Sequence, residues 1–458
     1  MKEQINVVFI GHVDHGKSTL VGHMLTKSGA IDQHTIDKYE KEGVACQKKG
    51  SFKYAFVMDE LKEERERGVT IEAAHKKFET KKNEIVIIDA PGHRDFVKNM
   101  IQGTSEADAA ILVVAAGEGI MAQTMEHAVL AKTMGVGQLL VAVNKMDTVD
   151  FSKDAFDELC VEIRAMLKKY FWDVSKVDIV PVSAFHGDNI ADKSSNMKWW
   201  RGATFLEHLD NLKSTQKDLS KPFRMPIDSI LKITGVGTVV CGVIQSGRVR
   251  VGDSMTIAPL GMISEVKSIE SYKKDVREAE VGDDVGIALK GVDRAKIKRG
   301  YVMGNTETPP ISVKEFSGRI MIIKHPKGIS EGYTPIIHAH TLQMPCLFEK
   351  FIVKLDIMGN AIGKNPSFLI NDESAMVKIK PMRTIVLEES QGVLKLSRFA
   401  IRDMGMTVGA GIVVKITAIQ CPKCGKSAFR TGDVFICDND KCDNNKNSVK
   451  LDIYGRKL

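Results

Sequence analysis

The stretch GHVDHGKST, residues 11–19, places two glycines ahead of a lysine and a hydroxyl residue in the pattern G-x-x-x-x-G-K-[ST]. Gly11 and Gly16 let the backbone through His12, Val13, Asp14 and His15 turn its N–H groups toward phosphate oxygens. Lys17 is placed for β- and γ-phosphates and the Ser18 hydroxyl for Mg²⁺. Thr19 lies in the first turn of the helix to follow, whose N-terminal end adds positive potential. The pattern carries weight only between a strand and a helix, and INVVFIG before it and TLVGHML after it supply both.

Two further stretches extend this chemistry. DAPG (89–92) follows a second apolar run, putting Asp89 near the metal through water and the Gly92 N–H near a γ-phosphate. NKMD (144–147) ends another apolar run, LLVAVNK. The Asp147 carboxylate there can accept the two N–H groups that guanine presents and adenine does not. Asn144 can meet the other edge of the ring, Lys145 can pack on its face, and SAF (Ser183, Ala184, Phe185) can offer a backbone donor to the guanine oxygen. A site built to pair with such groups rejects the wrong base by about 10⁴- to 10⁵-fold. Three such elements in this order exclude an ordinary polar loop and predict a GTP/GDP site with Mg²⁺.

A separate set of residues lies at the C-terminus. Cys421 and Cys424 stand two residues apart, Cys437 and Cys442 four apart, with twelve residues between the pairs. Two knuckles joined by a hairpin can bring four thiolates into a tetrahedron, the geometry of a closed structural Zn²⁺ site. A redox pair is the rival reading, but neither knuckle lies in a βαβ setting. The isolated Cys46, Cys160, Cys241 and Cys346 read as buried thiols.

Positioning these residues requires a large scaffold, and 458 residues at 43% hydrophobic provide for two to four cores. Residues 1–217 alternate apolar runs (INVVFIG, EIVIIDA, AAILVVAAG, QLLVAVNK, VDIVPVSA) with amphipathic stretches, which predicts a mostly parallel sheet with helices on both faces. After the proline-marked SKPFRMP the pattern changes to short alternating strands, predicting an all-β module over 218–308. NTETPP separates it from a second such module, 309–418; both are expected to close into barrels, which removes exposed edges. Residues 419–458 form a small zinc-ribbon-like appendix. The formal charge of +7 permits nucleic acid as a partner without requiring it. No apolar run approaches the roughly eighteen residues of a membrane span, and the charged start runs straight into a strand, so a cytoplasmic location is expected.

GHVDHGKST, KEERERGVTI, DAPGHRDFVKNMIQG and NKMD, continued by GVGTVVCGVIQSG, PIIHAHTLQMPCLF and RFAIRDMGMTVGAGIV, resemble the elongation factor 1-alpha/Tu family of translational GTPases over residues 4 to about 417. The insert from Lys27 to Gly68 resembles its archaeal and eukaryotic branch. The likeness implies that His93, after DxxG, aligns the attacking water, that Val13 and Val69 shield it, and that Thr70 closes over Mg²⁺ when the γ-phosphate is present. It implies a transfer-RNA site in which Lys98, Asn99 and Arg299 meet the 5′-phosphate end and Glu270 the terminal adenine. Tyr272 stands where the family usually has histidine and Asp284 where it has asparagine, both bordering the aminoacyl pocket; Met406 occupies a place often held by arginine. The implied partners of a monomer are the ribosome, aminoacyl-tRNA and a guanine-nucleotide exchange factor. The altered pocket keeps open a carrier of a tRNA-shaped release or rescue protein, and the shared three-domain body a regulatory GTPase of sulfate adenylyltransferase. The ribbon is an addition to the usual family body.

Overall fold

Seven consecutive buried residues end the strand Glu3–Gly11 (β1), and Ala109–Ala115 (β4) is buried throughout. Runs of this kind belong to strands covered on both faces. In the computed structural model, which describes residues 2–31, 74–89, 100, 103–104, 107–170, 172–214, 219–271, 274–356, 359–442 and 451–452, these strands form the centre of a six-stranded sheet. With Ala74–Glu79 (β2), Asn83–Asp89 (β3), Gln138–Asn144 (β5) and Asp178–Pro181 (β6), the order is β2-β3-β1-β4-β5-β6. All neighbours are parallel except β2, which pairs antiparallel with β3 and forms the edge. That strand was absent from the apolar runs in the sequence because AHKKFE carries two lysines and buries Phe78 alone among its described side chains.

Helices cover this sheet. Helix α1 (Lys17–Lys27) sets Leu20, Val21, Met24 and Leu25 against Ile5, Val7, Phe9 and Ile111. The helix Lys153–Lys169 starts where the Ser152 hydroxyl accepts the Ala155 N–H. It buries Phe156, Leu159, Ile163, Met166 and Leu167, spaced to line one face. Strand order reverses at β1, so a crevice opens beyond the carboxyl ends of the strands, where open α/β sheets hold their ligands.

The chain forms two compact units, Met1–Gln216 and Lys217–Leu458. In the second, the strands Arg224–Pro226, Val302–Asn305, Ser254–Ala258, Met262–Ser271, Asp284–Leu289 and Gly237–Val243 lie side by side in that order. An antiparallel bridge from Arg224 to Ser246, just beyond Gly237–Val243, brings the ends of this row together. The next row runs Ser312–Ile322, Ser374–Pro381, Leu342–Leu355, Ile336–Ala339, Arg398–Asp403 and Met406–Gln420, and the last of these pairs back with the first. It is a closed barrel. Between the two rows, Arg224, fully buried, forms an ion pair with the buried Glu388, which also accepts the Val393 N–H at 3.0 Å. Loss of either partner would leave an uncompensated interior charge.

The cysteine segment is an outgrowth of this barrel. Met406–Gln420 runs past the barrel to pair with Ser427–Thr431, which pairs with Val434–Cys437; Phe435 is bridged in turn to Leu451. Cys421, Ala428, Phe435, Cys437 and Leu451 share one hydrophobic core with barrel residues such as Phe316 and Ile416. Of the isolated thiols, Cys346 is buried as expected, Cys160 and Cys241 are only half-buried, and Cys46 lies outside the described residues.

Candidate functional site

Parallel register brings the predicted loops to one edge of the sheet. Phe9 lies beside Asp89, Gly11 beside Val113, Ala115 beside Asn144 and Val143 beside Pro181. The carboxyl ends of β1, β3, β5 and β6 therefore lie together. Asp89 is the last residue of β3, while Val69, Thr70, Gly92 and His93 lie outside the described residues.

After β1 the chain makes a 3₁₀ turn over Val13–His15 and enters α1 at Lys17. Two glycines permit the path. Gly11 has φ +137°, and a Cβ there would lie 2.4 Å from the Val113 carbonyl oxygen; Gly16 has φ +82°, and its Cβ would lie 2.5 Å from the Asn144 amide nitrogen. Lys17 is 4% exposed, and its ammonium donates to the carbonyls of His12 at 2.9 Å and Gly11 at 3.3 Å. Such a cation is held over the loop by acceptors that a phosphate can replace. His12 and Val13 are half-buried, Asp14 is exposed, and Ser18 and Thr19 are half-buried in the first turn of α1.

Two histidines of this region are electrically silent. His15 is fully buried with Nδ1 3.2 Å from the Val113 carbonyl oxygen, and burial lowers its pKa to about 4. His127, on the helix Ala122–Met134, accepts the Gly11 N–H at Nδ1 (3.1 Å), and burial lowers its pKa to about 3. The loop's positive potential thus comes from Lys17 and backbone N–H groups, with both rings neutral at neutral pH. His127 went unrecognised in the sequence because a lone histidine in an apolar helical stretch reads as core.

The base-side loops are tied to this loop by side-chain bonds. Asn144, 2% exposed, donates its amide N–H to the His15 carbonyl at 2.8 Å and accepts the Ala184 N–H at 2.9 Å. It braces two loops, in addition to whatever ring edge it meets. The Ser183 hydroxyl donates to the half-buried Asp147 carboxylate at 2.5 Å, orienting it. Lys145, in a left-handed conformation at φ 59°, extends its ammonium to Glu118 at 2.8 Å; this bond holds the Glu118 carboxyl below its usual range. Phe185 is half exposed, and no described group accepts its N–H.

In the second unit, Glu270 is exposed on Met262–Ser271, opposite Gly286, and Asp284 is half-buried at the start of Asp284–Leu289. The Arg299 guanidinium lies 3.0 Å from the Asp228 carboxylate. Burial pushes the Cys241 thiol up, against a hydrogen bond with Ser229 that lowers it, and the carboxylates of Asp284, Asp228 and Glu270 add to the upward shift. Lys98, Asn99 and Tyr272 lie outside the described residues.

The sulfurs of Cys421, Cys424, Cys437 and Cys442 all lie within 4.8 Å of one another. Cys421 and Cys442 are 3.8 Å apart, Cys424 and Cys437 3.5 Å. Four thiolates about 2.3 Å from a central ion stand about 3.8 Å from each other, so the set fits tetrahedral zinc. The first knuckle is closed by the Gly425 N–H on the Cys421 carbonyl (2.9 Å), with Gly425 at φ +71°, and the Asn439 N–H points at Cys437 Sγ (3.5 Å). An N–H aimed at sulfur supports a thiolate.

Comparison with known proteins bears on all these sites. Residues 2–216 match the family model described as elongation factor Tu GTP binding domain, 237–304 elongation factor Tu domain 2, and 309–417 elongation factor Tu C-terminal domain. The chain is 47% identical over 419 residues to elongation factor 1-alpha of Archaeoglobus fulgidus, covering 91% of this chain and 98% of that protein. It is 49% identical over 417 residues to the protein of the same name from Methanosphaera stadtmanae, with the same coverage. Among solved structures, translation elongation factor SelB from Methanococcus maripaludis bound to a GTP analogue is similar in fold, with a TM-score of 0.66 at 22% identity, covering 91% of this chain and 80% of that one. The matched models end at 417, and the four cysteines lie beyond them.

Proposed function

This chain belongs to the elongation factor 1-alpha/Tu family of translational GTPases, and from that membership we propose that it delivers aminoacyl-tRNA to the ribosome in a GTP-dependent step of polypeptide elongation. The observation that carries the reading is the assembly of the phosphate loop, β3 end, NKMD and SAF at one sheet edge, in a chain nearly half identical to elongation factors along 91% of its length. The paralogous cargo left open by Tyr272 and Asp284 is not favoured, since relatives nearly half identical along most of the chain are named elongation factor 1-alpha.

In this reading Lys17 and the N–H groups of residues 11–19 hold the β- and γ-phosphates. Ser18, Thr70 and Asp89 hold Mg²⁺, which neutralises phosphate charge when bound. The Gly92 N–H meets the γ-phosphate, so the segment after β3 senses whether that phosphate is present. His93 orients a water for in-line attack, and Val13 and Val69 keep it from the phosphate until the ribosome is engaged. Phosphoryl transfer depends on positioning and charge stabilisation more than on covalent chemistry, and this residue set supplies both. Asp147 reads the guanine donors, Lys145 covers the ring, and Ser183, Ala184 and Phe185 close the base pocket. Lys98, Asn99 and Arg299 meet the 5′ end of the transfer RNA, and Glu270, Tyr272 and Asp284 border its aminoacyl end. For Arg299 this means exchanging Asp228 for a phosphate. The protein works as a monomer in the cytoplasm with a nucleotide-exchange factor. No helix among the described residues is long and apolar enough to cross a membrane.

Retention of charged and uncharged tRNA on nitrocellulose tests the cargo. Aminoacyl-tRNA is expected to be held with GTP and lost with GDP, with affinity falling steeply as salt rises. Equal retention of charged and uncharged tRNA would remove the assignment.

Zn²⁺ is proposed for the four cysteines. Purified protein is expected to contain about one zinc per chain and to lose it in Cys421→Ser. Because the ribbon shares its core with the barrel, metal loss is expected to lower the melting temperature of the second unit as well. Fully folded, zinc-free protein with four titratable thiols would contradict the site.

A further inference from the structure

Two turns beyond the phosphate loop, α1 buries His23, 5% exposed, against the SAF loop. Its Nδ1 lies 2.8 Å from the carbonyl oxygen of Ala184, in the SAF loop. A carbonyl only accepts, so Nδ1 carries the proton in this contact. Gly187 turns the loop over the ring at φ +84°, and a Cβ there would come within 2.5 Å of His23 Nε2. On the opposite side of the same residue, the Ala184 N–H is held by Asn144 at 2.9 Å. Ala184 is therefore clamped from both sides, by β5 and by α1.

The consequence follows from the planarity of the peptide bond. In a trans peptide the C=O of one residue and the N–H of the next point in opposite directions. His23 draws the Ala184 C=O toward α1, and this aims the Phe185 N–H the other way. That N–H has no acceptor among the described residues, whereas the Ala184 N–H is already engaged. The donor available to a guanine oxygen in this loop is the Phe185 N–H, and the group that orients it sits on a helix 161 residues away in sequence.

We propose that His23 is a positioning residue for guanine recognition, setting the Phe185 N–H against the ring's 6-oxygen through the Ala184 carbonyl. The inference rests on the nucleotide-site reading above. It separates two parts of base selection: Asp147 reads the ring N–H and the exocyclic amine, and the His23-oriented peptide reads the oxygen.

The test compares wild type, His23→Phe and His23→Asn, with the dissociation constants of GDP, ADP, inosine diphosphate (no 2-amino group) and 2-aminopurine riboside diphosphate (no 6-oxygen and no ring N–H, the latter loss being common to all three proteins). His23→Phe keeps a ring and removes the donor; it is expected to cut the preference for GDP over the 2-aminopurine nucleotide about tenfold, the scale of one hydrogen bond. The preference for GDP over inosine diphosphate should stay as in wild type. His23→Asn restores an N–H near the Nδ1 position and is expected to recover most of the loss. Should His23→Phe fail to fold, Gly187→Ala displaces the same ring and is expected to give the same selective loss. Both preferences falling together, or a lowered melting temperature with both intact, would reduce His23 to packing and overturn the proposal. Wild-type protein indifferent to GDP and ADP would instead overturn the nucleotide-site reading, and the inference with it.

Discussion

Asp147→Asn is expected to weaken GDP binding by about 10⁴- to 10⁵-fold and to shift preference to xanthosine diphosphate. Guanine offers the carboxylate two donors, a ring N–H and an exocyclic amine, and a charged acceptor makes both bonds strong. The Ser183 hydroxyl donates to one carboxylate oxygen and fixes the group's orientation. In the Asp147→Asn variant the one remaining side-chain oxygen can still accept from Ser183, and the new NH₂ would then face the base. Guanine meets donor against donor, whereas xanthine, with a carbonyl in place of the amine, meets a complementary group. Competition of the two diphosphates against a fluorescent nucleotide measures the change. Retained preference for GDP would show that Asp147 does not read the base. A variant that binds neither nucleotide yet melts like wild type would place its role in the loop geometry.

The second large effect concerns hydrolysis. His93→Ala is expected to bind GTP as wild type does while losing about 10²- to 10⁴-fold in ribosome-stimulated turnover, the range for removal of a positioned proton-transfer or water-orienting group. His93 follows Asp89 by four residues, and Asp89 ends β3 beside Phe9, two residues before the phosphate loop begins at Gly11. A chain leaving β3 there needs only a short turn to bring an imidazole to a γ-phosphate. Single-turnover hydrolysis with and without ribosomes separates binding from chemistry. Near-normal stimulated turnover would refute the role, and loss of GTP affinity alone would move His93 to nucleotide binding.

The signals differ in how local they are. G-x-x-x-x-G-K-[ST] was readable because phosphate geometry demands particular residue types within one unbroken loop; Gly11 and Gly16 occupy positive φ with no room for a side chain. The cysteine spacing was readable for a similar reason, since a tetrahedron restricts the donors. The sharing of one hydrophobic core between ribbon and barrel was not, because it depends on Met406–Gln420 running past the barrel to pair with Ser427–Thr431. The edge strand Ala74–Glu79 escaped notice because an edge position needs little apolar surface, and its lysines break the alternation.

The residue types alone determined the nucleotide class, the convergence of the four C-terminal cysteines and the order of the matched domains, since each is written into a short segment. Only the tertiary structure decided which histidines serve the site and in what state. His15 and His127 are neutral because burial penalises their charged forms, and His23 donates because a carbonyl from a distant loop faces it. Tautomer, protonation and aim belong to the surroundings of a side chain. Those surroundings are assembled from strands and loops more than a hundred residues apart, so no local pattern records them.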